Sequence, residues 1–147
     1  ARNPRCPRGL LRVMAEDGSA WVRSAVAYQT RVAPALLKVL ADDREVDVLS
    51  GVAANPRTPQ WLLRRMAASL EADVRRGVIL NPRASRRTLL SLLEDPYPLH
   101  RILLAGNKTL NDADRWSLND DPDPSVRFSV FRWLAARFLP PAPCHAC

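Results

Sequence analysis

Glycine is scarce in this chain: five residues in 147, against thirteen prolines. No glycine-rich phosphate loop is present, and neither is a nucleophile elbow or a helical pair of metal-binding histidines. Lysine is nearly absent, since only Lys38 and Lys108 stand among 22 basic residues. No apolar run approaches the roughly 20 residues that span a bilayer, and no secretory signal is visible. These absences give a cytoplasmic expectation with no membrane partner. Three cysteines, Cys6, Cys144 and Cys147, cannot form a secreted disulfide framework, and their odd number favours a reducing compartment. No segment alternates apolar and polar residues with period two over a useful length, which argues against a sheet.

What the chain does have is a period. Asn55 recurs 26 residues later as Asn81 and 52 later as Asn107; backwards it meets Gln29 and Asn3. The same step links Leu11, Leu37, Leu63 and Leu89, and it links Val26, Val52, Val78, Leu104 and Val130. A fixed period in this range marks a stacked repeat array. Five units follow, at residues 1–26, 27–52, 53–78, 79–104 and 105–130. None can bury a core alone, so stacking must supply the burial.

Each unit reads as a helix with apolar residues at helical spacing, a turn, and a second, shorter helix. In the first unit Leu10, Leu11, Met14 and Ala15 form the stripe, ended near Glu16, Asp17 and Gly18, and Trp21, Val22, Ala25 and Val26 follow. In the third, Thr58 is expected to cap a helix opened by Pro59, with Leu62, Leu63, Met66, Ala67 and Leu70 on one face. In the fourth, Ser85 is expected to cap. The fifth is the most degraded: Arg115 replaces the column leucine, and Trp116 and Leu118 are its expected anchors. Residues 131–139 read as a capping helix, and 140–147 as a proline-rich tail carrying a Cys-x-x-Cys pair. The first unit starts without the helix that should precede it, and without an initiator methionine. The chain therefore reads as a fragment or a processed form.

The pattern V-R-x-x-V-A-x-N-P-x-T-P-x-x-L-L-x-x-L-A, fullest at residues 53–67 and 74–84, resembles the leucine-rich repeat variant family. The resemblance covers the five units. It implies an all-α fold: a right-handed superhelix, or α-solenoid, of alternating α-helices and short α or 3₁₀ helices, without β-sheet. It does not imply an enzyme, and with no convincing active site among the residues a non-enzymatic scaffold is expected. One arrangement in that family places a cysteine-rich iron–sulfur module before the repeats; here the cysteine pair follows them.

Several columns carry candidate chemistry. The Asn column suits amides that satisfy turn backbone groups buried by stacking, or alternatively amides that read nucleic-acid bases. Arg5, Arg31, Arg57 and Arg83 follow the turn and give either a solvent-facing loop residue or a basic edge for an acidic protein or peptide, or for nucleic-acid phosphates. Arg23, Arg75, Arg101 and Arg127 pair naturally with the aspartate column Asp17, Asp43, Asp95 and Asp121 as structural ion pairs within or between repeats. His100 occupies a valine slot and reads as a core histidine. The four tryptophans share no slot, so they form no stacking platform. Cys144, Cys147 and His145 offer three soft ligands, one fewer than a closed zinc site needs, so no cofactor is expected in this chain alone; a longer form is where zinc or an iron–sulfur cluster would sit.

Overall fold

The computed structural model describes residues 7–138, and these form ten α-helices with no strand. The chain divides into two compact units, Ala1–Leu92 and Leu93–Cys147. The first holds α1 (Arg8–Met14), α2 (Ala20–Ala27), α3 (Pro34–Leu40), α4 (Val46–Ala54), α5 (Gln60–Ala67), α6 (Ala72–Leu80) and α7 (Arg86–Leu90). The second holds α8 (Pro98–Ala105), α9 (Asp112–Trp116) and α10 (Pro124–Phe138).

In the first unit α4 lies between α2 and α6. Glycine makes that spacing possible: a Cβ added at Gly77 would lie 2.8 Å from the Ala53 Cβ, and one at Gly51 2.8 Å from the Ala27 Cβ. The core beneath is the leucine and valine columns, with Leu37, Leu63, Leu89, Val52 and Val78 all fully buried. Each such side chain contributes about 1.5–3 kcal/mol. In the second unit Ala105, Leu118, Val126 and Val130 form the core, with Leu93, Ile102 and Leu134 packed against it.

The scarcity of glycine has a structural counterpart in the turns. Among the described residues none has positive φ. Asparagine and aspartate side chains shape the turns instead. Asn55, Asn81 and Asn107 each accept the backbone N–H two residues on, from Arg57, Arg83 and Thr109, at 2.9 Å. Between the helices of a repeat, Asp17, Asp43, Asp95 and Asp121 do the same for Ser19, Glu45, Tyr97 and Asp123. Ser69 replaces aspartate in that column and makes the same bond to Glu71 at 3.2 Å. A side chain that closes its own turn removes the need for a left-handed residue.

The asparagines have a second bond set. The Asn55 Nδ2 donates to the carbonyls of Ala27, at 2.6 Å, and Gln29, at 3.0 Å. The Asn81 Nδ2 repeats this one unit on, to Ala53 at 2.6 Å and Asn55 at 2.8 Å. Both amides are buried. They stitch neighbouring repeats together as the structural reading of that column requires.

The second unit presents the same two carbonyl positions, on Ala105 and Asn107. The next asparagine in register would fall at 133, which is Trp133. Arg115 takes its place: Nε donates to the Ala105 carbonyl at 2.9 Å and Nη2 to that of Asn107. Its Cζ lies 4.4 Å from the centre of the Trp133 ring, a cation–π contact. Arg115 is 2% exposed although it stands in a leucine column.

Several local expectations are corrected. The second helix of a repeat is the longer one: α4 and α6 have nine residues, against seven in α3 and eight in α5. No 3₁₀ segment occurs among the described residues; the shortest helices are α7 and α9. Thr58 does not cap α5, because its hydroxyl donates back to the Val52 carbonyl at 2.5 Å and Pro59 takes the N-cap. Ser85 does cap α7, accepting from Thr88 N–H. Gly18 lies beyond the end of α1, whose C-cap is Ala15. Leu70 is 96% exposed, and Trp21 and Trp116 also face solvent. The cap expected at 131–139 is no separate helix, since α10 runs unbroken from Pro124 to Phe138.

Candidate binding surfaces

Arg31, Arg57 and Arg83 are all exposed and stand one repeat apart in the first unit. They enter none of the ion pairs among the described residues. The backbone beneath two of them is fixed, because Arg57 and Arg83 donate their N–H to rung asparagines that are themselves buried. Arg31 also edges an apolar groove of about 390 Å³, between Leu11 and Arg12 of α1 and Leu36 and Val39 of α3. Arg5, the first member of the column, lies outside the described residues, as do Cys6, Cys144, His145 and Cys147.

The other arginine column is internal. The Arg23 guanidinium grips Asp43 of the next repeat with two bonds, at 2.7 and 3.0 Å. Its remaining arm reaches the carbonyls of Asp17 and Gly18. Arg101 grips Asp121 in the same way, at 2.7 and 2.9 Å, and reaches the Asp95 carbonyl. Two of the ion pairs expected of these columns are thus formed, between residues twenty apart, with backbone contacts inside the repeat, while Arg127 reaches only the carbonyls of Asp121 and Pro122. Hydrogen bonds from the guanidinium hold Asp43 and Asp121 below the usual carboxylate range, against the opposing pull of burial. The same bonds raise Arg23 and Arg101 above the usual arginine value. Leu49 breaks this arginine column, and the aspartate it would meet, twenty residues on, is Ser69. Both partners are missing at the same junction.

His100 is buried, with Nδ1 3.0 Å from Asp95 Oδ1 and its ring 5.6 Å from that of Tyr97. It is a core histidine, as its valine slot implies. Among the described residues no group of three or more His, Cys, Asp or Glu side chains could hold a metal ion, and no helix is long and apolar enough to cross a membrane.

A second surface escaped the sequence reading. Along α2, α4 and α6 and their C-terminal ends, Trp21 and Tyr28, then Asp47, then Asp73, Arg76 and Leu80 are exposed, with Ser50 buried between them. Between the three helices lies a groove of about 460 Å³ edged by Tyr28, Asp47, Ser50, Asp73, Arg76 and Leu80. The available signal was the column itself, where Trp21 aligns with Asp47 and Asp73.

Compared with family models, curated proteins and solved structures, the chain matches none of them.

Proposed function

We propose that this chain is a non-enzymatic repeat scaffold, its five 26-residue units stacked as a right-handed solenoid of the leucine-rich repeat variant kind, that binds a protein or peptide partner. An acidic segment of the partner lies along Arg31, Arg57 and Arg83, with Arg5 continuing the row by register. The observation that carries this reading is the row itself: three exposed guanidinium side chains, one per repeat, without ion-pair partners, two of them on turns held by buried amides. A fixed backbone lowers the entropic cost of binding, and the planar guanidinium fork suits carboxylates.

The test is titration of a labelled oligoglutamate peptide, and separately a single-stranded oligonucleotide, into the full chain and into the Arg31→Ala/Arg57→Ala/Arg83→Ala variant. The peptide is expected to bind, and the variant to lose at least tenfold in affinity with an unchanged helical spectrum. Oligonucleotide binding with a steep log-linear salt dependence, and none for the peptide, would replace this reading with a phosphate-binding one. Equal peptide affinity in the two proteins would contradict it.

A further inference from the structure

We infer that the groove across α2, α4 and α6 receives an extended peptide segment presenting a lysine or arginine side chain to Asp47 and Asp73. This surface is separate from the row of Arg31, Arg57 and Arg83.

Charge comes first. The chain carries a net +7, yet this groove holds two carboxylates from successive repeats that enter no ion pair among the described residues. Arg76 edges the same groove and is likewise outside the ion pairs. It repels a ligand cation from the Leu80 side and leaves the α2–α4 side, where the Tyr28 ring stands, as the favourable place. An aromatic ring face beside a carboxylate suits an alkyl ammonium or a guanidinium.

The floor supplies a second, independent observation. Ser50 lines the groove, is only 9% exposed, and its Oγ has no hydrogen-bond partner. A buried hydroxyl without a partner is costly to keep and favours a ligand that supplies one. A peptide main chain offers both a donor and an acceptor. The floor is also shallow in side chains, because Ala54 and Gly77 line it beside Ser50.

The experiment is an NMR titration of the full chain with two blocked pentapeptides, acetyl-Ala-Ser-Lys-Ser-Ala-amide and its counterpart with glutamine at the centre. The lysine peptide is expected to give saturable amide shifts concentrated at Asp47, Ser50 and Asp73, and the glutamine peptide at least tenfold weaker ones. The Asp47→Asn/Asp73→Asn variant, altered only at exposed positions, should lose the preference, and Ser50→Ala should weaken binding by about threefold while keeping it. The Arg31→Ala/Arg57→Ala/Arg83→Ala variant should respond like the unaltered chain, so failure here is separable from failure of the acidic-partner reading. Equal response to the two peptides, shifts located elsewhere, or no saturable shift would overturn the inference.

Discussion

The two compact units solve the same problem with different residues. In the first, the carbonyl pairs on Ala27 and Gln29 and on Ala53 and Asn55 are taken by an asparagine one repeat on, Asn55 and then Asn81. In the second, the pair on Ala105 and Asn107 is taken by Arg115, from within the same repeat. An amide is short, and it can do this only from a following turn. A guanidinium on a long stem reaches both carbonyls from a helix position that elsewhere holds leucine. Trp133, in the slot of the absent asparagine, covers the guanidinium face. The comparison teaches that a residue departing from a repeat consensus need not be decay. Arg115 looks like a damaged leucine and works as the donor to both carbonyls.

The comparison can be broken at its tightest point. Leu103 and Ser129 occupy in the second unit the column of Gly51 and Gly77 in the first. Copying leucine back, as Gly77→Leu, drives side-chain atoms into Ala53 Cβ and the Ser50 carbonyl, 2.8 and 3.1 Å from the first added carbon. A loss of about 3 kcal/mol is expected, read as a lowered urea midpoint. A neutral result would mean that α4 and α6 are not held this close. Next comes Asn81→Ala, which strands two buried carbonyls and opens a turn; about 2–3 kcal/mol should be lost. Measured hydrogen exchange should show the damage spreading to the α4–α6 junction. Local loss confined to residues 81–83 would argue against a stitching role.

Acid sharpens the comparison between the two ion pairs. Asp43 and Asp121 are depressed in the folded chain. The stability they contribute is therefore present above the unfolded aspartate value of about 3.9, and it is lost as pH falls through the lower folded values. Asp121→Asn should flatten the acid limb of stability measured between about pH 6 and pH 2; an unchanged limb would remove the pair from the account. The smallest effect is a gain. Leu49→Arg and Ser69→Asp together should install the missing pair, with a favourable coupling of about 1 kcal/mol in a double-mutant cycle. Strict additivity would show that the paired loss at this junction is coincidental.

Much of this was legible from period alone. The helices, the leucine and valine core, and the structural use of the asparagines follow from columns whose members must be equivalent. The errors arose where a residue was read by its type and not by its column. Trp116 aligns with Arg12, Lys38, Arg64 and the half-buried Leu90, and Leu70 aligns with Gly18, Arg44 and Pro96. Those are mostly outward positions, and the structure puts both side chains in solvent. Arg115 is the converse, a charged residue in an inward column. The groove was not legible because it depends on how closely three helices approach, which Gly51 and Gly77 set through contacts that only the fold reveals. The row of Arg31, Arg57 and Arg83 was legible as exposed, since nothing in adjoining columns complements it.

The central claim is that buried side-chain donors closing backbone carbonyls stabilise each compact unit, and Arg115→Leu tests it most directly because the substitution places leucine where Leu11, Leu37, Leu63 and Leu89 stand. Thermal unfolding should show a midpoint lowered by about 5–10 °C, the effect of leaving two carbonyls unpaired beneath Trp133. A midpoint equal to or above that of the unaltered chain would mean that leucine packing, and not the ladder, sets the stability of this region.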